Sequence, residues 1–379
     1  MKLLVNAVAC RVAGGRSVAL NFLRSYRAGR FPHDLVVYAP DGAGYEELEG
    51  DRLRVELAPS WVHRGFARGL ADNVWFRGVL AREEPDVLFA MGSIAYPTRL
   101  PQLVLFHWPY AIYPEREVWE RMRPREQLSR TVRRWLFARR ARHADCFAAQ
   151  TSTSRERLER YYGLEGVAVV PNAVSVPLGL DDAPSWSLPE VAIPPGKQAL
   201  LCLARYYPHK NHDVLLQVAE GIRERDLPYV ILTTVSPEEG PAAVDFLDAI
   251  QTRGLASVLI NLGTVPMEEI PALYGESSGL LLPTVLESFS GTYVEAMFHR
   301  KPVFTSDRDF ARDVCGDVAW YFDPHDPDSI LETIHSAFAD REALDDRLDA
   351  GRKRCEEFAD WPEVTERYVR LLERVAKGG

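Results

Sequence analysis

The chain has 379 residues, 46% hydrophobic and 26% charged, with a formal net charge of −9. That length suffices for two domains with separate cores, whereas no apolar run approaches the roughly 20 residues of a bilayer-spanning helix, and the acidic total argues against nucleic-acid binding, which leans on basic side chains facing phosphates. The charge is uneven: residues 1–150 carry 23 basic against 16 acidic side chains and the remainder 22 against 38, so the two halves are expected to meet different partners.

The first predicted strand, Leu3–Val8, runs into V-A-G-G-R-S-V-A-L-N-F-L, which places Gly14 and Gly15 after it. Strands follow at Leu35–Tyr38, Val87–Ala90 and Leu103–Phe106, the last leading directly into His107. Arg121 to His143 is rich in arginine around Leu128, Val132, Trp135 and Leu136. Such a basic amphipathic helix either lies on an anionic membrane surface or packs on its own sheet with a solvated arginine face. Cys146–Ala149 and Val167–Val170 complete the first set of strands.

Pro171 to Glu190, rich in Pro, Ser and Asp, breaks the periodicity and reads as a linker. Beyond it come Ala199–Leu203, Tyr229–Thr233, Val258–Leu262, Gly279–Leu282, Val303–Thr305 and Ala319–Phe322, with helical spacing in between at Val214–Ile222 and Ala242–Ile250. Most strands are apolar on consecutive positions, as strands buried on both faces should be. The expectation is an α/β chain of two doubly wound parallel sheets, residues 1–175 and 176–360, binding ligand at the carboxyl ends of their strands and facing a central cleft. The five cysteines are scattered without metal-type spacing, and the N-terminus has no signal-peptide pattern, so a reduced, cytoplasmic protein is expected.

Two segments carry the chemistry. A-R-Y-Y-P-H-K-N-H puts Arg205 and Lys210 in the loop after a strand, where cations could hold an anion; His209 and His212 lie too close together, with no further ligands nearby, for a metal site and read as solvated loop histidines. L-E-S-F-S-G-T-Y-V-E-A-M sets Glu287 in a loop and Glu295 a turn inside the helix that opens near Gly291. The two acids flank a helix N-terminus, whose free N–H groups attract an anion. Carboxylates would repel a phosphate but accept hydrogen bonds from sugar hydroxyls, and a nucleotide sugar has that layout of hexose, diphosphate and ribose. Asp307-Arg308-Asp309 matches the metal-binding D-x-D pattern but follows the next strand, and is rejected as a metal site.

In combination these segments resemble glycosyltransferase family 4, the retaining enzymes of the GT-B fold, which have two Rossmann-like domains. The likeness rests on A-R-Y-Y-P-H-K-N, on N-L-G-T-V-P-M-E-E-I-P-A-L-Y and on L-L-P-T-V-L-E-S-F-S-G-T-Y-V-E-A-M-F-H-R-K-P-V-F-T-S, in the family's order over about residues 198–340. It implies that Glu287 contacts donor-sugar hydroxyls and Glu295 ribose hydroxyls. Arg205 and Lys210 would neutralise the diphosphate, with the backbone at Ser290, Gly291 and Thr292 capping the phosphates. Gly14 and Gly15 are similar to the family's first-loop glycines, which approach the donor phosphates, and His107 stands where the family often has a His or Asp near the reactive centre; a structural strand-end histidine is the other reading of His107. The sequence departs from the family where Ser288-Phe289-Ser290 replaces Gly-Phe-Gly, and where Val230–Ser236 lacks a glycine pair. The closing segment, about 361–377, resembles a helix that packs back on the first domain.

The function implied is a hexosyltransferase-type, retaining, metal-independent transfer from a nucleotide-sugar donor to a glycan, lipid-linked or small-molecule acceptor. No cofactor and no nucleic acid are expected. The rivals are a non-catalytic nucleotide-sugar-binding subunit and a GT-B epimerase or phosphorylase. Acceptor loops are expected around 42–50, 60–69 and 92–97, and segment 121–143 would carry any peripheral contact with the inner membrane face.

Overall fold

The structure, a computed structural model, describes residues 1–63, 74–120, 122–173 and 193–378. The predicted linker from 174 onward, Arg121 and the second half of the expected acceptor loop 60–69 therefore lie outside or largely outside the described residues. The described residues fall into two compact units, one drawn from 1–114, 123–173 and 359–378, the other from 115–122 and 193–358.

The first unit is built on seven strands: β1 (Lys2–Asn6), β2 (Asp34–Pro40), β3 (Leu53–Ala58), β4 (Val87–Ala90), β5 (Gln102–Phe106), β6 (Cys146–Ala149) and β7 (Ala168–Val169). They run parallel in the order β3-β2-β1-β4-β5-β6-β7, with Leu3 in register with Leu35 on one side and Val87 on the other. Consecutive apolar residues form these strands because helices cover both faces, leaving no polar side for an alternating pattern. β3 is the exception and escapes the sequence reading. At the sheet edge it alternates Leu53, Val55 and Leu57 with Arg54 and Glu56, and Leu57 remains 42% exposed.

The helix Trp361–Ala376 belongs to this first unit. Asp360 caps it by accepting from the Glu363 N–H, and Val364, Tyr368, Val369, Leu372 and Val375 recur at helical spacing on its buried face. Tyr368 packs edge-on against Phe22, with ring centres 6.0 Å apart, and lies 5.2 Å from Phe89. Burial of each such side chain is worth about 1.5–3 kcal/mol, so the chain's last helix is part of the first unit's core.

The second unit carries β8 (Gln198–Cys202), β9 (Tyr229–Thr233), β10 (Leu259–Asn261), β11 (Gly279–Leu282), β12 (Val303–Ser306) and β13 (Trp320–Phe322), parallel in the order β10-β9-β8-β11-β12-β13. Strand order reverses between β8 and β11, as it does between β1 and β4 in the first sheet. In such sheets the loops diverge at the reversal and leave a crevice at the carboxyl ends. The loops after β8 and β11 carry Arg205, Lys210 and Glu287.

Candidate functional site

In the second unit, the loop after β8 turns through Asn211, whose left-handed backbone (φ +59°) is one that asparagine tolerates better than most residues. Its side chain donates to the Pro324 carbonyl at 2.7 Å. The loop after β11 is joined to it: the Val285 N–H donates to the His209 carbonyl at 2.8 Å, and the Thr284 hydroxyl lies 3.1 Å from the same carbonyl and 3.4 Å from Glu287 Oε1. These bonds bring Lys210 and Glu287, 77 positions apart in sequence, into an ion pair between Nζ and Oε1, with side chains 15% and 11% exposed. A pair this far from water is held by geometry, and removing one partner strands the other's charge.

Arg205 is placed differently. Its Nε pairs with Glu239 Oε1 at 2.9 Å, while Glu239 Oε2 accepts the Tyr206 N–H at 2.7 Å. The Glu239 carboxylate is only 6% exposed and Arg205 is 44% exposed, so a buried acid anchors one edge of a guanidinium whose remainder faces outward. The sequence offers no signal for Glu239 beyond a turn, S-P-E-E-G. His212 corrects the sequence reading. It is buried, stacked on Tyr206 at 5.2 Å and edge-on to Phe246 at 5.7 Å, with Nε2 3.3 Å from the Ala204 carbonyl. Burial, and then the charge of Lys210, push its pKa down to about 3, so it is a neutral packing residue. His209 stacks on Tyr207.

The helix Gly291–Phe298 begins just past Ser290, whose hydroxyl lies 2.8 Å from that of Thr292. Tyr293 ties this helix to the sheet through a 2.7 Å contact with the Thr305 hydroxyl. Glu295 is half-buried in its first turns, and its Oε2 lies 3.3 Å from the buried hydroxyl of Tyr274, which also reaches the Thr292 carbonyl at 3.2 Å. Burial raises the Glu295 pKa to about 7 despite the opposing hydrogen bond from Tyr274. A carboxyl poised there exchanges its proton near neutral pH, and any further hydrogen-bond donor would favour its ionised form. Tyr274 is the last residue of the N-L-G-T-V-P-M-E-E-I-P-A-L-Y segment, and only the structure reveals its contact with Glu295. The Asp307 carboxylate accepts both Nε (2.6 Å) and Nη2 (2.9 Å) of Arg312, and Asp309 Oδ1 accepts the Phe310 N–H at 2.8 Å.

In the first unit, Gly14 and Gly15 lie in the first turn of the helix Ala13–Ala28 rather than in the loop before it. A Cβ on Gly15 would come within 3.4 Å of His107 Nε2, whereas Gly14 faces open space. His107 follows β5 directly; its N–H donates to Ser93 Oγ at 3.0 Å, and Ser93 adopts a left-handed φ of +67° to meet it. Burial, then the charge of Arg133, lower the His107 pKa to about 4, and its Nδ1 is buried without a hydrogen-bond partner. A neutral imidazole can donate or accept one hydrogen bond but brings no positive charge to a phosphate.

Residues 12–176 match the family described as Glycosyltransferase Family 4, and residues 187–354 the family described as Glycosyl transferases group 1. The fold is similar to that of a sucrose-phosphate synthase from Thermosynechococcus elongatus (TM-score 0.79, 13% identity, 100% of both chains covered). It is also similar to a glycosyltransferase from Rickettsia africae (TM-score 0.72, 14% identity, 100% and 99% covered) and to Anabaena HepE in complex with UDP and glucose (TM-score 0.71, 16% identity, 99% and 100% covered). No curated protein matches the chain at a significant level.

Proposed function

We propose that the chain, whose two halves match glycosyltransferase family models and whose fold is similar to that of solved glycosyltransferases, moves a hexose from a nucleotide-sugar donor to an acceptor hydroxyl with retention and without a metal ion. The observation that supports this most is the Lys210–Glu287 pair, joined across the loops after β8 and β11 where the strand order reverses. Lys210 and the outward edge of Arg205 take the diphosphate, with the N–H groups that open the helix Gly291–Phe298 beside them. Glu287 and Glu295 accept from hydroxyls of the hexose and the ribose. In the first unit, His107, neutral and half-buried, is the group that could offer a hydrogen bond to a ligand hydroxyl.

In this scheme the bond from the anomeric carbon to the leaving phosphate oxygen breaks while the acceptor oxygen bonds to the same face. The acceptor's proton passes to the departing phosphate. Catalysis then rests on stabilising leaving-group charge, where loss of one donor costs about 10²–10³ in rate. The acceptor is a glycan, a lipid-linked sugar or a small molecule, and the reaction is cytoplasmic.

HepE was seen with UDP and glucose, so UDP-sugars head the test panel, followed by GDP-, ADP-, CMP- and dTDP-sugars, each with and without EDTA. A donor at 100-fold over its Kd should stabilise the protein by about 2.7 kcal/mol. One nucleotide class giving a shift that EDTA leaves alone supports the reading, and turnover of that donor unchanged in Lys210→Ala would refute the catalytic role. Loss of the shift on adding EDTA would refute metal independence.

A further inference from the structure

The helix Pro124–Ala141 has two unlike faces. One is buried: Phe137 packs on Phe106 (5.6 Å between ring centres), Phe147 (5.9 Å) and Tyr162 (4.8 Å). The other leaves Leu128, Val132 and Trp135 exposed by 66%, 55% and 59%. At about 100° per residue these three fall within an arc of roughly 60°. Arg139 falls within the same arc, Arg125 and Arg142 lie about 20° beyond its two edges, and all three are exposed. Arg130 and Arg133 instead lie over Tyr110 (3.9 Å) and Trp108 (4.3 Å), within the unit. From 123 to 142 there are eight arginines and a single acid, Glu126, whose carboxylate accepts from the Arg123 N–H at the helix start.

Large apolar side chains grouped on a water-facing helix mark a contact surface. Here the group has an aliphatic and indole centre with guanidinium groups at both ends. We propose that this face docks on an anionic lipid surface: Leu128, Val132 and Trp135 enter the boundary between headgroups and acyl chains, and Arg125, Arg139 and Arg142 meet lipid phosphates. The Arg139 guanidinium, 5.1 Å over the Trp135 ring, already has the arrangement in which an indole body and a cation share the headgroup layer. A second copy of the chain would bring one arginine-rich face against another, and the like charges oppose that pairing. Nucleic acid would answer the arginines but not the leucine and valine. The docking does not depend on the donor chemistry proposed above, and its test does not use activity.

The test is flotation of the full chain with vesicles of phosphatidylcholine alone and of phosphatidylcholine mixed with phosphatidylglycerol, at low and high salt. Binding is expected to the mixed vesicles only, weakening with salt. Each Arg→Gln at 125, 139 and 142 should weaken it about fivefold, and all three together roughly a hundredfold. Leu128→Ser with Val132→Ser and Trp135→Ser should abolish it while leaving the melting temperature little changed, since all three are mostly exposed. As a reading on the folded wild type, brominated lipid should quench part of its tryptophan emission, and Trp135→Phe should lose that part. Absence of flotation, equal flotation on neutral vesicles, or unchanged flotation of both triple variants would overturn the proposal. So would a dimer in solution that the serine variant dissociates, which would assign the face to a second copy.

Discussion

Glu295 provides a test of the donor site that uses only pH and one atom. Its carboxyl is raised from the ordinary 4.5 to about 7 by burial, so the folded state holds a proton that the unfolded chain has released between those values. Stability therefore falls as pH rises through that window, because the unfolded chain ionises freely while the native one must desolvate its charge. Glu295→Gln resembles the protonated side chain, can still accept from Tyr274, and lacks the titration. The variant should exceed the wild type by about 1 kcal/mol near pH 5 and by about 3 kcal/mol near pH 8. Thermal melting should show this as a gap between the two proteins that widens with pH, at roughly 2–4 °C per kcal/mol for a unit of this size. His299, stacked on Tyr274 at 5.0 Å, is lowered to about 4 by burial and the nearby Lys301 and Arg352, so it stays neutral throughout and does not blur the comparison.

The same carboxyl should respond to the donor with the opposite sign. A ribose offering hydroxyl donors selects the ionised form, so a UDP-sugar should bind about tenfold more tightly near pH 8 than near pH 6, and the Gln variant should lose that slope. A nucleotide sugar is the right probe because its diphosphate keeps a constant charge across this range, whereas the terminal phosphate of free UDP titrates within it. A stability gap that stays flat with pH would refute the raised carboxyl. A widening gap with no pH slope in donor affinity would keep the titration and refute contact between Glu295 and the donor.

Lys210→Met or Glu287→Gln alone should lower stability by about 3–5 kcal/mol in denaturant melts, because each leaves a buried partner unpaired or poorly paired, and the double variant should recover part of that loss. Glu239→Ala should release Arg205 and weaken nucleotide-sugar affinity about tenfold, seen as a rise in KM with kcat little changed; equal affinity would show that Arg205 needs no anchor or does not touch the donor. Asp307→Ala breaks an exposed pair with Arg312, so stability should change by about 0.5 kcal/mol or less and turnover should stay at the wild-type level; a large loss of turnover that added metal restores would revive the D-x-D reading.

What the sequence made legible follows from where the determining forces act. Strands buried on both faces announce themselves by consecutive apolar residues, and so β4, β6, β9 and β11 have the bounds their apolar runs predict, whereas β3, with solvent on its edge, carries an alternating pattern that such runs do not reveal. The same division holds in the candidate site. Arg205, Lys210, Glu287 and Glu295 can be singled out as candidates from their spacing and from the family resemblance of the segments that carry them. Their partners cannot, because a partner is fixed by tertiary proximity: Glu239 sits in an ordinary turn, and Tyr274, 21 positions before Glu295, reads as a core aromatic. His212 failed in the other direction, since a histidine two positions beyond a lysine looks solvated until Tyr206 and Phe246 close over it. Charges that would bind a ligand can thus be picked out one residue at a time, while the groups that set their pKa and direction are properties of the packed sheet edge. For that reason the pH response of Glu295, controlled by Tyr274 and by burial, discriminates better than deletion of any residue visible in the sequence: deletion tests whether a charge matters, whereas the titration tests whether the fold has arranged its surroundings for a ligand.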